Sequence, residues 1–171
     1  PTSRMRRQTS QADILCASKP ARNGKKLIGL LQRVSEASVR VGSAEIAVIS
    51  RGLLVFVAVE PDDTPRSVDR MAERLLSYRV FADESGRMNR SVLAENAELL
   101  LVPQFTLAAD TRKGTRASFT KAATPEKARE HFGALLAACR RSIPQAGSGE
   151  FGADMQVKLI NDGPVTFWLK S

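Results

Sequence analysis

Three segments bring together side chains whose types and spacing could do chemistry. In Pro103-Gln104-Phe105-Thr106-Leu107-Ala108-Ala109 a buried strand acquires Gln104 and Thr106 at alternate positions, so the two would share one face. That pairing of amide and hydroxyl is met equally well by the solvent side of a strand end. Just downstream, residues 110–121 carry Arg112, Lys113, Arg116 and Lys121 against Asp110 alone, a local charge of +3. Such a loop suits phosphate contacts, and an ordinary solvated loop has the same composition. The third segment is Asn161-Asp162-Gly163-Pro164-Val165-Thr166-Phe167-Trp168. Proline at the head of a strand is ordinary, and at a base rate of about 5–6% for X–Pro bonds nothing here calls for a cis peptide.

Other chemistries find less support. His131 stands one position before the apolar Phe132 on a helical stretch and reads as a flanking surface histidine rather than a general base. Asp62-Asp63 and Asp83-Glu84 fall in turns or beside helix starts, where capping and solvation account for them. Cys16, Cys139 and His131 match no zinc spacing, and one histidine leaves little room for a catalytic triad. The glycines form neither GxGxxG nor GxxxxGK. Tyr78 and Trp168 do not interleave as a base-stacking platform. No metal or cofactor is expected.

The elements that must position these segments follow from periodicity. Leu27 to Val34 opens the body, and Ala37 to Val41 alternates as a half-exposed strand. Gly42-Ser43 is a turn and Ile46 to Ile49 a short strand. Leu53 to Val59 is apolar on both faces, hence a buried central strand. Thr64-Pro65 and Thr124-Pro125 each read as N-cap plus first helical residue. Val68, Met71, Ala72, Leu75 and Leu76 stripe the first helix; Ala128, Phe132, Leu135, Leu136 and Cys139 stripe the second. Glu98 to Leu107 is a strand, Gly147-Ser148-Gly149 a loop, and Met155 to Ile160 and Val165 to Leu169 two strands joined through 161–164. Many strands and two helices without βαβ alternation predict an α+β fold with a largely antiparallel or mixed sheet.

The 171 residues carry 26 basic and 18 acidic side chains, a net charge of +8, but the charge is uneven. Residues 1–26 hold seven bases against Asp13, leaving 19 bases and 17 acids in residues 27–171. The leader is Arg/Ser-rich and aperiodic, and reads as a flexible basic extension; an acid-poor leader also fits an organelle transit peptide. No apolar run approaches the ~20 residues of a membrane span. With no secretory signal, Cys16 and Cys139 read as free thiols in a reducing, cytoplasmic setting.

Together these residues resemble the D-aminoacyl-tRNA deacylases, which remove D-amino acids from mischarged tRNA. The resemblance runs from Leu27 to Ser171. It is carried by Leu31-Gln32-Arg33-Val34, Gly86-Arg87-Met88-Asn89, Gln104-Phe105-Thr106-Leu107, Ala153-Asp154-Met155-Gln156-Val157 and Asn161-Asp162-Gly163-Pro164-Val165-Thr166. It implies a barrel-like core and an obligate homodimer with active sites at the interface, each Gly163-Pro164 bond being cis and inserted into the partner's site. The Gly163 and Pro164 carbonyls would face the substrate α-amino group and exclude an L side chain, with Arg33 anchoring their loop. Gln104, Phe105 and Thr106 would line the pocket for the ester and the terminal adenosine, with Met155 beside the substrate. Arg112, Lys113, Arg116 and Lys121 would meet the tRNA. Chemistry in the family is attributed to backbone N–H groups and the RNA 2′-hydroxyl, Thr106 matching an older nucleophile candidate.

Two positions depart from the family pattern: Pro103 replaces a usual serine and Ala117 a usual proline. A Pro-Gln pair resembles the sister class that removes L-alanine from mischarged threonine tRNA, but that class has a small residue at Phe105 and lacks Arg33. The D-specific reading is therefore preferred, with glycyl-tRNA as a second substrate. A non-catalytic tRNA-binding module on the same fold is the other alternative. If residues 1–26 are a dispensable tail, deleting them leaves folding and ester hydrolysis nearly unchanged. The plot of tRNA affinity against salt then becomes shallower, because up to six net charges no longer displace counterions. A collapse in melting temperature would show that the leader packs on the body.

Overall fold

The computed structural model describes residues 27–112, 114–120 and 122–171; the leader, Cys16, Lys113 and Lys121 lie outside them. Its spine is β1 (Ile28–Val41), one continuous strand where two segments were expected. Gly42, at φ +57°, turns the chain back into β2 (Ala44–Ile49). β2 and β3 (Gly52–Ala58) then lie end to end along one edge of β1, pairing Ala37–Val41 and Ile28–Val34 respectively. β8 (Met155–Lys170) runs antiparallel along the other edge. Held on both sides, β1 has no reason to break.

At Ser50–Gly52 the chain turns β3 away from β2, and β6 (Glu98–Pro103) joins it in parallel. The Glu98 carboxylate accepts the Ser50 N–H at 2.5 Å, and the Glu98 N–H donates to the Arg51 carbonyl at 3.2 Å. β7 (Gly147–Ser148), expected as loop, adds two parallel pairs to β6. It comes round to β2, where a Cβ built on Gly147 would stand 3.5 Å from that of Ala47. The six-stranded sheet is thus mixed, as the α+β expectation had it, and a nearly closed barrel, as the resemblance implied.

Two buried layers use opposite faces of the same strands. Leu54, Leu100 and Val102 point into the barrel with Val34, Val39 and Ile49. Leu53, Val55, Leu99 and Leu101 face α1 (Pro65–Ser77) and α2 (Pro125–Arg140), meeting Met71, Leu75, Phe132 and Leu135. A strand buried on both faces carries no polar alternation, which is why β3 reads as continuously apolar.

Both helices start at the expected Thr-Pro pairs: Ser67 Oγ accepts the Thr64 N–H at 3.3 Å, and Thr124 Oγ1 accepts that of Lys127 at 3.4 Å. The expectation for His131 is corrected. It is buried, three residues after Ala128 and four before Leu135, so the helical stripe itself carries it inward. Its Nδ1 lies 3.1 Å from the Lys127 carbonyl oxygen. Cys139 is a free buried thiol, its pKa pushed up to about 11 by burial. Asp63 is also buried: it caps no solvated turn but accepts the Leu27 N–H at 2.6 Å and the Glu60 N–H at 2.8 Å.

The Gly52 bend admits no side chain. A Cβ there would fall on the Glu98 carbonyl oxygen, backbone that the Arg51 hydrogen bond holds in place. Gly52→Ala is expected to lower unfolding free energy by about 3 kcal/mol. Gly133→Ala, where a Cβ meets nothing within 4 Å inside α2, is expected to raise it by up to about 1 kcal/mol. Paired thermal melts with equal midpoints would contradict this assignment.

Candidate active site

β6 does not continue to Leu107. Pro103 has no N–H to give on the β7 side, where the last bond runs from the Gly149 N–H to Leu101. Gln104 donates its N–H to Val57 at 2.7 Å, and the chain winds into a 3₁₀ turn over Phe105–Ala108. Gln104 and Thr106 therefore do not alternate on a strand face. They meet directly instead, Gln104 Nε2 donating to Thr106 Oγ1. The first turn leaves the Phe105 and Thr106 N–H groups without an acceptor inside the turn.

This turn separates two clefts. One, of about 360 Å³, is lined by Pro103, Gln104, Phe105, Phe151 and Met155 among others. The second, of about 550 Å³, is lined by Thr106, Glu60, Asp110, Arg112 and Trp168 among others. Of the residues expected in one pocket, Gln104, Phe105 and Met155 come together, whereas Thr106 faces the neighbouring cleft. Phe151 was not singled out from sequence; it belongs to the Phe151-Gly152 turn that closes the cleft opposite Phe105, and no periodicity marks it.

The other expected residues form a separate tip. Between Gln32↔Thr166 and Val34↔Asn161 the β1–β8 ladder skips Arg33, and residues 162–165 leave the ladder as an excursion in which 162–164 are exposed. What was expected as a loop between two strands is thus an outgrowth of one long strand. The Arg33 side chain, only 15% exposed, fills the gap. Its Nε donates to the Asp162 carbonyl at 2.9 Å and lies 3.3 Å from the Asp162 carboxylate, while another nitrogen donates to Val80 at 2.6 Å. Asn161 clamps the far side: Oδ1 accepts the Val165 N–H at 2.7 Å, and Nδ2 donates to the Val165 carbonyl at 3.2 Å and to Thr166 Oγ1 at 3.1 Å. Gly163 has φ +150°, and the Gly163–Pro164 peptide is cis, as the resemblance implied and base rates did not. Gly163 and Pro164 line neither cleft.

The Gly86-Arg87-Met88-Asn89 motif has a structural role nearby. β4 (Phe81–Ala82) and β5 (Met88–Arg90) flank Asp83, whose carboxylate accepts from Ser85 Oγ, the Ser85 and Arg87 N–H groups, and Asn89 Nδ2. These donors, Ser85 first, hold its pKa well below the usual carboxylate range.

The basic loop is pinned at its base by an Asp110–Ser118 bridge of 2.7 and 3.0 Å. Arg112 is spent on a two-pronged pair with Asp110 at 2.9 and 2.8 Å, which raises its pKa. Arg116 is exposed and makes no ion pair among the described residues. Lys113 and Lys121 fall outside those residues. At the mouth of the first cleft the Phe105 ring, 57% exposed, packs against Phe119, 44% exposed, with centroids 5.1 Å apart.

The D-Tyr-tRNA(Tyr) deacylase family model matches residues 30–170. A D-aminoacyl-tRNA deacylase of Alkalilimnicola ehrlichii is 56% identical over 145 residues, 85% of this chain and 97% of that protein. One from Pseudomonas entomophila is 54% identical over 142 residues, 83% and 98% of the two chains. Among solved structures, the c-Myc DNA Unwinding Element Binding Protein superposes with a TM-score of 0.80 at 38% identity, over 84% of this chain and 98% of its own. A probable eukaryotic D-amino acid tRNA deacylase, 15% identical, shares the fold at a TM-score of 0.77, over 85% and 100% of the two chains.

The tip allows one direct test. A Cβ on Gly163 would stand 2.6 Å from Val165 Cγ2 and 2.7 Å from the Val165 nitrogen, the atom Asn161 holds. Gly163→Ala is therefore expected to cost about 1–3 kcal/mol and to release the Val165 amide to fast hydrogen exchange, with the helices still protected. An unchanged Val165 exchange rate would mean that the clamp does not depend on the missing side chain.

Proposed function

The chain belongs to the D-Tyr-tRNA(Tyr) deacylase family, and from that premise we propose how its clefts and its tip act on the ester of D-aminoacyl-tRNA. It hydrolyses that ester, releasing the D-amino acid and free tRNA. Water adds to the ester carbonyl, the bond to the terminal ribose oxygen breaks, and that oxygen leaves with a proton. The step needs donors aimed at the tetrahedral oxyanion. The Phe105 and Thr106 N–H groups are the donors that we assign, with the terminal adenosine in the cleft between Phe105, Phe151 and Met155.

Thr106 is not the nucleophile on this reading. Activating a hydroxyl requires a neighbouring base, and the group on Thr106 Oγ1 is the Gln104 amide. In either orientation an amide is too weak a base for that task. The 2′-hydroxyl of the RNA positions the attacking water instead.

Chiral selection falls to the tip of a second copy. Gly163 and Pro164 are exposed and line neither of these two clefts, and Ile160 and Trp168, 51% and 50% exposed, lie along β8 on either side of them. Large apolar side chains in that setting suit a contact with another protein surface. In the homodimer their partner's substrate would meet the Gly163 and Pro164 carbonyls at its α-ammonium group, leaving no room for an L side chain. Glycyl-tRNA, with nothing to exclude, would be cleaved as well. Arg33 acts as a positioning residue by holding Asp162. Among the described residues no helix is long and apolar enough to cross a membrane, and we place the enzyme in the cytoplasm.

The observation that carries this reading is the Arg33-held tip in a family member whose Gln104-Phe105-Thr106 turn lines both clefts. Matched D- and L-aminoacyl-tRNA substrates test it: cleavage of the D form alone is expected. Equal cleavage of both, or cleavage of L-alanyl-tRNA(Thr) alone, would refute it, and binding without cleavage would point to a non-catalytic module. Thr106→Ala is expected to keep substantial activity, losing a contact of about 1–2 kcal/mol. A tRNA ending in 2′-deoxyadenosine is expected to be the poor substrate. A folded but inactive Thr106→Ala protein would restore Thr106 as nucleophile.

A further inference from the structure

Phe105 has two neighbours of different kinds. It lines the cleft assigned above to the terminal adenosine, and its ring also packs on Phe119 at 5.1 Å with the planes tilted by 52°. Both rings remain about half exposed, an arrangement that leaves a wedge of aromatic surface open to solvent at the cleft mouth. Phe119 follows Ser118, which the Asp110 bridge fixes, so the ring is held at the base of the basic loop rather than on its tip. Three residues back is Arg116, exposed and unpaired among the described residues, whereas Arg112 is already engaged by Asp110.

An exposed aromatic face with an exposed, unpaired arginine three residues away on the same loop is a surface that a single-stranded nucleotide fits, base on ring and phosphate on cation. We propose that Phe119, braced by Phe105, is the stacking platform for the cytidine that precedes the terminal adenosine of the tRNA, with Arg116 meeting its phosphate. The proposal rests on the deacylase reading and extends it by one nucleotide. A chain whose last base occupies the Phe105–Met155 cleft has the Phe119 ring within reach of its next base, because that ring packs directly on Phe105. A base that only stacks offers no hydrogen-bond readout, so the platform holds the shared acceptor end without choosing among tRNAs.

The test uses the full chain and a D-aminoacyl-tRNA whose penultimate cytidine is replaced by an abasic ribose. Stacking losses of this kind predict a KM about tenfold higher with kcat changed less than twofold. Phe119→Ala on the intact substrate should raise KM to the same extent, Phe119→Tyr should restore it, and Phe119→Ala should cost nothing further on the abasic substrate. A KM that ignores the missing base would overturn the platform. So would additive effects of the two changes, or a shift in oligomeric state by light scattering for Phe119→Ala, which would make the ring a subunit contact. The abasic arm uses unaltered protein, so a poorly folding variant cannot rescue or sink the idea. Failure of the unaltered protein on intact D-aminoacyl-tRNA is a separate result; it would remove the deacylase reading and the platform with it.

Discussion

A strand has two edges, and β1 must satisfy three partners with them. That constraint organises the molecule. β8 occupies one edge for its whole length, so β2 and β3 share the other in succession. The changeover falls at Ser50–Gly52, and the turn there frees β3 to take β6 as a parallel neighbour and start the barrel wall. On the opposite edge the irregularity appears as the 162–165 excursion, beside Arg33, which the β8 ladder skips. Bend and tip are thus products of a single crowded strand, and both sit near its middle.

Arg33 shows how the crowding is turned to use. It pairs through its backbone with Leu53 of β3, while its side chain crosses to hold Asp162 and Val80. A guanidinium suits this position because its donors diverge in a plane and stay charged, and three separate acceptors can be met at once. The Asn161 clamp completes the geometry from within β8. The tip is therefore held by side chain to backbone bonds at Asp162 and Val165, with Val165 packed on the core, while Gly163 and Pro164 stay exposed.

Elements governed by local rules were legible in the sequence. Thr64-Pro65 and Thr124-Pro125 mark both helix starts, and the unbroken apolar run at Leu53 marks the central strand. Features set by distant partners were not. The end of β6 depends on which edge Pro103 presents to β7, and β7 itself is two residues with no period to read. His131 is polar and so stands outside the apolar stripe of Ala128, Phe132, Leu135, Leu136 and Cys139, although 128, 131 and 135 keep helical spacing. For the site, spacing offered Gln104 and Thr106 as a pair, and they are one, but through a turn that sends them to different clefts. The significance of Gly163-Pro164 came from resemblance alone, since no local rule distinguishes that proline from any other at a strand head.

The turn after Pro103 has a consequence for how such a site can change over generations. If its working donors are the main-chain N–H groups at 105 and 106, nearly every codon change at those positions keeps them, because nineteen of the twenty residues carry an amide hydrogen and only proline lacks one. Inactivation by simple side-chain loss is then rare. Drift falls instead on what the walls admit, on Phe151, Met155 and the proline that stands at 103, so descendants of this chain can alter their range of substrates while the chemistry itself is inherited intact.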